Sequence, residues 1–359
     1  MQNVRLQKPA WLSHFGLKFP IIQAPMAGIS TPQLAAAVSN AGGLGSLGLG
    51  SSSLEHARAT IVETQELTSK PFNVNVFCHE PAQRDATKET AWLNYLSPLF
   101  ADVGLTPPTQ LHEIYPSFLQ HDAMFELLLE LCPAVVSFHF GLPTSQQIRA
   151  LHHRGILTLA SVTNLEEAML AEEVGIDSLI AQGIEAGGHR GCFDPSASDE
   201  QLETMALVQQ LVQRTSRPIV AAGGIRTGQE MASVMCLGAV AVQLGSAFLL
   251  CPEAATNAGY RQMLTSERAA VTCLTSSLSG RPARGIVNRF ITHCESAVNV
   301  TPADYPLAYD AAKQIIQAAN RQGNYELAAH WVGKGTTLLR EMPAQVLVET
   351  LVQEWQEYR

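Results

Sequence analysis

The chain has 359 residues, of which 46% are hydrophobic and 15% are charged, so it can bury a large core and is not globally disordered. Its formal net charge is −9 without a long cluster of Lys or Arg, which argues against a nucleic-acid partner. The seven cysteines are scattered without a CxxC pair, which argues against a disulfide framework or a zinc site and favours reduced thiols in a cytoplasmic protein.

Short β-rich runs recur along residues 20–244, and most are followed by an amphipathic stretch of helical length. Parallel strands need connections of this kind. Eight such units in series favour a closed TIM (β/α)8 barrel over an open doubly wound sheet. The eight predicted strands are 20–24, 43–47, 72–77, 134–138, 156–161, 178–182, 218–222 and 240–244.

Two parts of the chain depart from this alternation. Residues 78–133 contain Pro107, Pro108 and Pro116, which predict added helices and a loop between the third and fourth strands. After residue 250 the pattern becomes mainly helical, with loops around 277–285 and 301–306.

We expect a barrel over residues 1–250 and a helical lid over 251–337, with a final helix, about 338–359, that returns to the barrel. Sites of TIM barrels lie at the C-terminal ends of the strands, so the lid is expected to cover that opening.

Two glycine-rich turns follow the last two predicted strands. Residues 221–225 are Ala-Ala-Gly-Gly-Ile, and residues 243–246 are Gln-Leu-Gly-Ser. Loops after these two strands commonly bind phosphate, because glycine lets backbone N–H groups approach its oxygens and the Ser246 hydroxyl adds a donor. The alternative is that the glycines only form tight turns.

A third glycine-rich segment, residues 182–191, follows the sixth predicted strand and carries His189. Gln182 offers a donor and an acceptor suited to the edge of a flavin ring, and His189 can exchange a proton near neutral pH. A lone histidine is more often a surface or core residue. The neighbouring phosphate-type turns favour a functional role here.

Three other strand ends place candidate residues at the barrel mouth. Pro25 and Met26 follow the first strand, where their alternative role is a turn and a packing side chain. Asn75, near the end of the third strand, needs a specific partner in an apolar barrel. His139 ends the fourth strand, where a purely structural hydrogen bond is about as plausible as substrate binding.

Together these motifs resemble the nitronate monooxygenase family, formerly called 2-nitropropane dioxygenases, and within it bacterial class I. The resemblance spans nearly the whole chain, and its most specific parts are the histidine-containing glycine segment and SFHFGLP. The motifs are QAPMAG from Gln23, VVSFHFGLP from Val135, AQGIEAGGHRG from Ala181, AAGGI from Ala221, VQLGSAFL from Val242, SGRPARGIVNR from Ser279 and PLAYDAAK from Pro306.

The resemblance implies an FMN cofactor at the C-terminal ends of the strands, with His189 as the catalytic histidine. It implies that Tyr309 and Lys313 lie near the substrate, with Lys313 pairing with a carboxylate, and His139, from its strand end, is the third expected substrate-binding residue. For Tyr309 and Lys313 the alternative is an ordinary solvated helix face. The FMN-binding residues that the resemblance implies are Ala24, Pro25, Met26, Asn75, Gln182, Gly187, Gly224, Gln243, Leu244, Gly245 and Ser246. The glycine-rich segments add Gly188, Ala222 and Gly223 to the expected cofactor-binding residues.

The implied reaction is oxidation of alkyl nitronates, above all propionate 3-nitronate, by O₂ to an aldehyde and nitrite or nitrate through a flavin semiquinone. Protonated His189 would hold the nitronate charge, whereas neutral His189 would deprotonate a nitroalkane. One departure from the family pattern is Lys334, in Val-Gly-Lys-Gly where the family often has AGQG.

Two other functions remain open from the sequence. The main rival is an FMN-dependent, NAD(P)H-linked enoyl or quinone reductase on the same barrel, and a non-catalytic flavin-binding protein is a second. A metal-dependent enzyme is disfavoured, because no strand end supplies a His, Asp and Glu cluster. We expect small-molecule partners, no signal peptide, no membrane span and no nucleic acid, and a homodimer is the assembly that we consider.

Overall fold

The computed structural model describes residues 8–296 and 300–358. Within these residues, eight parallel strands are arranged in the order β1-β9-β8-β6-β5-β4-β3-β2, and a bridge between Ile22 and Leu44 joins the two ends of the sheet. The predicted barrel is confirmed, and each predicted strand is present. The barrel strands are β1 Ile21–Gln23, β2 Gly45–Gly48, β3 Phe72–Phe77, β4 Val135–His139, β5 Leu157–Val162, β6 Ser178–Gln182, β8 Ile219–Ala222 and β9 Ala241–Leu244.

Side-chain caps fix where many of the helices begin. The Thr31 side chain accepts a hydrogen bond from the Leu34 N–H, and Thr227 forms a capping box with Glu230. The helices are α1 Lys8–His14, α2 Pro32–Asn40, α3 Leu54–Leu67, α4 Ala86–Asp102, α5 Asp122–Leu131, α6 Ser145–His153, α7 Leu165–Val174, α8 Thr204–Arg214, α9 Gly228–Cys236, α10 Ala258–Leu264, α11 Arg289–Glu295, α12 Leu307–Arg321 and α13 Ala344–Glu357, with short 3₁₀ turns at Phe118–Gln120, Ser246–Phe248, Glu267–Ala270 and Thr336–Leu338.

Alternate side chains of each barrel strand point outwards, to an apolar layer under the helices, and inwards. The barrel interior is apolar at its N-terminal end and polar at its C-terminal end. In β3, Val74 and Val76 belong to the core between strands and helices, so Asn73 and Asn75 face the interior. Trp11 of α1 closes the N-terminal end of the barrel and donates a hydrogen bond to Ser178 Oγ at 2.7 Å. The interior near this end is apolar; its residues are Ile22, Leu44, Val135, Leu159, Ile180 and Val220.

A small antiparallel sheet lies outside the barrel. It consists of β7 Gly188–His189, β10 Thr272–Thr275 and β11 Ala283–Ile286, in the order β10-β11-β7. The sequence pattern does not predict this sheet, and the loop expected over 277–285 is wrong for residues 283–285, which form part of β11. These strands are short, and pairings between distant segments stabilise them, so local pattern carries little signal.

The segment after residue 250 packs in two ways. Helix α12 packs with α4, one of the helices predicted for residues 78–133, in a second apolar cluster. Helix α13 packs against α2 and α9 on the outside of the barrel. The boundaries at residues 250 and 337 stay predictions. In the part of the chain that the structure describes, no helix has the length and apolar character needed to span a membrane.

Candidate active site

The C-terminal end of the barrel interior is polar, in contrast to the end closed by Trp11. Asn75 is buried there and donates from Nδ2 to the Ser137 carbonyl at 3.1 Å and to Ser137 Oγ at 3.0 Å. Gln182 ends β6 and His139 ends β4, on the same side of the molecule. The strands therefore bring these three predicted site residues to one opening.

The small sheet carries His189 to this opening. His189 lies in β7 and pairs with Ala283 of β11. Its carbonyl accepts a hydrogen bond from Gln182 Nε2 at 3.0 Å and lies 3.2 Å from His139 Nε2. Gln182 Oε1 accepts from the Gly191 N–H at 2.7 Å, so the Gln182 amide binds the backbone on both sides of Arg190 and fixes the loop.

Ser279 determines which nitrogen of His189 carries the proton. Ser279 Oγ donates to the Arg281 carbonyl at 3.1 Å and accepts from the Arg281 N–H at 3.3 Å. His189 Nε2 lies 2.9 Å from the same oxygen. Because the only hydroxyl proton is already donated, we assign the proton of neutral His189 to Nε2, which leaves the lone pair on Nδ1.

Burial keeps the histidines of the site neutral. It lowers the pKa of His189 to about 3, with further lowering by His139 and Arg281. Burial likewise lowers the pKa of His139 to about 4, although the hydrogen bond to the His189 carbonyl opposes this. His189 is half-buried, and the rings packed around its imidazole keep water away from it.

Aromatic rings surround His189. The ring centroids of Phe140, Tyr305, Tyr309 and Trp331 lie 5.6, 5.8, 5.9 and 5.4 Å from that of His189. Trp331 Nε1 donates to the Tyr309 hydroxyl at 3.3 Å. Phe140, Tyr305 and Trp331 were not predicted from the sequence. Phe140 lies in the SFHFG motif, residues 137–141. A bulky residue next to Gly141 was the sequence feature that could have marked it as a site residue.

Lys313 lies beside this ring cluster on α12. Its Nζ is 4.6 Å from the Tyr115 ring centroid and 5.3 Å from that of Tyr309. Burial lowers the pKa of Lys313 below its usual value. Lys313 is therefore not a freely solvated side chain, and its ammonium group faces electron-rich rings in the manner of a cation–π pair.

The glycine turns after β8 and β9 have the geometry of an anion-binding cradle. Gly223 and Gly224 have φ values of 117° and 67°, which other residues rarely adopt. Within the described residues, the N–H groups of Gly223, Gly224 and Gly245 meet no protein acceptor. Gln243 Oε1 is buried and also lacks a partner there. The half-buried N–H groups suit an anion that approaches the turns, and the buried, unpaired Gln243 oxygen suits a donor on a ring.

The remaining predicted cofactor residues lie around the same turns. A Cβ at Gly245 would stand 3.4 Å from Ala24 Cβ and 4.0 Å from Met26 Sδ, which brings the end of β1, with Pro25, to this turn. The Leu244 and Ala222 side chains pack in apolar clusters, so only their backbones are available. In the described part of the chain, no three His, Cys, Asp or Glu side chains are placed to hold a metal ion.

Residues 332–334 close over the turns. The Gly333 N–H donates to Ser246 Oγ at 3.0 Å, which leaves the Ser246 hydroxyl proton free, and the Lys334 N–H donates to the Glu185 carbonyl at 2.9 Å. A Cβ at Gly187 would stand 2.4 Å from the Gly333 nitrogen, so glycine is required for this approach. The Lys334 side chain is exposed.

Comparisons with known proteins give one consistent pattern. A family model described as nitronate monooxygenase matches residues 8–354. The chain is 53% identical over 340 residues to a nitronate monooxygenase of Pseudomonas aeruginosa, which covers 94% of this chain and 97% of that protein. It is 51% identical over 347 residues to one of Paraburkholderia phytofirmans, with 97% and 95% covered. The structure of a nitroalkane oxidase from Streptomyces ansochromogenes matches with a TM-score of 0.90 at 37% identity, covering 98% and 99%.

Proposed function

This chain belongs to the nitronate monooxygenase family, and we propose that it uses FMN and O₂ to oxidise propionate 3-nitronate. Nitronate oxidation and a flavin cofactor come with membership of the family. The reductase alternative is not favoured, because relatives above 50% identity are nitronate monooxygenases. The proposal adds the particular flavin, the particular nitronate and the residues that handle them.

One observation carries the choice of substrate. The ammonium group of Lys313 and the imidazole of His189 both lie beside the ring of Tyr309. Propionate 3-nitronate has a carboxylate at one end and a nitronate at the other. Lys313 would pair with the carboxylate, while the nitronate lies against His189.

The flavin would be held at the polar end of the barrel. The unpaired N–H groups of Gly223, Gly224 and Gly245, together with the Ser246 hydroxyl, suit the phosphate of FMN. The buried oxygen of Gln243 can accept a hydrogen bond from a ring N–H, and Asn75 would contact the same ring. When bound, the cofactor supplies the electron transfer between nitronate and O₂.

His189 would act as a neutral side chain. A nitronate is already deprotonated, so its oxidation requires no base. Neutral His189 would instead hold it in place, and a nitroalkane that entered the site would lose its α-proton to Nδ1. Of the two forms weighed from the sequence, the burial of His189 supports the neutral one. His139, whose Nε2 lies beside the His189 carbonyl, would fix the loop, and its predicted contact with substrate stays untested.

The proposal also covers the lid, the cellular location and the oligomeric state. Residues 251–337 act as the lid, which is supported by Tyr305, Tyr309 and Trp331 lying against His189. A cytoplasmic location agrees with the seven free thiols. The homodimer stays a prediction, to be tested by the mass of the protein in solution.

The proposal is tested by mixing the purified, flavin-loaded protein anaerobically with propionate 3-nitronate or with NADPH. We expect the nitronate, and not NADPH, to change the flavin absorbance. Re-admission of O₂ should then restore the absorbance and release nitrite. Extraction of the flavin identifies it as FMN or not. If NADPH alone bleaches the flavin and the nitronate does not, the protein is a reductase and the proposal is wrong.

A further inference from the structure

A nitronate is an anion, yet His189 and His139 are neutral, so another group must supply positive charge beside them. We propose that Arg281 is a positioning residue that provides the fixed positive charge of the site from behind the ring of Phe140. This inference rests on the proposed role of His189. Arg281 belongs to the SGRPARG motif, to which the proposed function assigns no role.

Arg281 is a buried cation without a carboxylate partner. Its exposed fraction is 3%. It donates from Nη1 to the Cys192 carbonyl at 3.1 Å and from Nη2 to the Phe193 carbonyl at 2.9 Å. Among the described residues, Arg281 forms no ion pair. Arg190 is equally buried, but its Nε lies 2.8 Å from Asp199 Oδ2. An unpaired buried charge is destabilising, so its presence points to a use.

Phe140 links Arg281 to the histidines. The guanidinium carbon lies 4.5 Å from the Phe140 ring centroid, and the same ring lies 4.5 Å from His139 and 5.6 Å from His189. Phe140 has a φ of 74°, a strained value for a bulky residue. The surrounding structure maintains this strain, which keeps the ring within contact distance of both the guanidinium and the imidazoles.

Among the described residues, the titratable groups in contact with His189 carry no positive charge, and Lys313, whose Nζ lies 5.3 Å from the Tyr309 ring, is assigned to the substrate carboxylate. The titratable groups are His139 of β4, Tyr305 just before α12, Tyr309 of α12, and the Ser279 hydroxyl of the turn before β11. Burial raises the pKa of both tyrosines, so they are uncharged. Arg281 lowers the pKa of His189 and His139, as a nearby cation must.

The chemical consequence is selection for the anionic form of the substrate. A permanent guanidinium charge favours the nitronate over the neutral nitroalkane at every pH at which the protein is folded. A protonated histidine would do so only below its pKa. Arg281 would therefore act through the electrostatic potential at the bound nitronate, without touching it.

The test compares three variants. Arg281→Gln removes the charge and keeps a donor for the carbonyls, while Arg281→Lys keeps the charge. Arg284→Gln is the matched control, since Arg284 is also buried and lacks an ion pair among the described residues, but it is not among the groups that shift the pKa of His189. We expect Arg281→Gln to raise the pKa of His189, measured by NMR of ¹³C-histidine in the flavin-loaded protein. We also expect it to lower kcat/KM for ethylnitronate about tenfold or more.

Arg281→Lys should stay close to the wild type in both the pKa of His189 and kcat/KM for ethylnitronate. Arg284→Gln should leave the pKa of His189 unchanged. An unchanged pKa and kcat/KM in a folded Arg281→Gln protein would overturn the proposal. If that variant does not fold, the wild-type titration decides, because His189 protonated at pH 6 would refute the inference. The NMR titration needs no turnover, so it remains informative even if nitronates are not the substrate.

Discussion

The pH dependence of nitronate oxidation tests the assignment of His189 as a neutral group. The pKa of an exposed histidine is about 6.5, so it would be about 90% protonated at pH 5.5. His189, with a pKa of about 3, would be less than about 1% protonated at that pH. Because kcat/KM reports the free enzyme, the pKa of the substrate-free site is the relevant one. We therefore expect kcat/KM for propionate 3-nitronate to change less than about twofold between pH 8 and pH 5.5.

The assay follows O₂ consumption with nitronate added from a freshly prepared alkaline stock. Circular dichroism at each pH restricts the comparison to folded protein. His189→Asn, which has no titrating group at this position, is the control for other ionisations. A tenfold change with a midpoint between pH 6 and pH 7, present in the wild type and absent in His189→Asn, would show that His189 protonates in the working range. In that case burial does not keep His189 neutral in the working range.

Four further outcomes follow from the geometry. His189→Asn should keep its flavin and lose turnover on the order of a hundredfold; unchanged turnover would remove His189 from the mechanism. Gln243→Leu should weaken FMN binding about tenfold in a fluorescence titration, since it removes a buried acceptor, and equal affinity would contradict its contact with the ring. Lys313→Met should raise KM for propionate 3-nitronate about tenfold but leave ethylnitronate, which has no carboxylate, nearly unchanged; a parallel rise would argue against the carboxylate pair. Burial lowers the pKa of His330 to about 4, so its contribution to the free energy of unfolding is present above pH 6.5 and is lost as the pH falls towards 4. Between pH 7 and pH 5, the free energy of unfolding measured with urea should therefore fall by about 2 kcal/mol less in His330→Gln than in the wild type. An equal fall in both proteins would count against the pKa shift.

The barrel was predictable because its signal is local. Each strand is a short apolar run, and most of the following helices have their own period and a side-chain cap, as at Thr227 with Glu230. The turn glycines were predictable for the same reason, since the positions of strand ends determine where Gly223 and Gly224 fall. His189 followed from its place among four glycines.

The ring cluster and Arg281 were not predictable in this way. Tyr115, Tyr305 and Trp331 come from three distant segments and meet only in the folded chain. Nothing near Arg281 in the sequence shows that its charge lies behind Phe140. The pairing of β7 with β11 joins residues about 95 positions apart, and it is what carries His189 to the mouth of the barrel.

Residues 332–334, which close over the glycine turns, have a consequence for how the holoenzyme is assembled. They follow the barrel strands in the chain, so if the flavin binds at these turns as proposed, it can reach them before residues 332–334 have been synthesised. A flavin that arrives early would be enclosed by residues 332–334, whereas one that arrives late would have to pass them to reach the turns. We therefore expect bound flavin to exchange slowly with free flavin, and cells short of flavin to accumulate folded apoprotein that fills slowly afterwards.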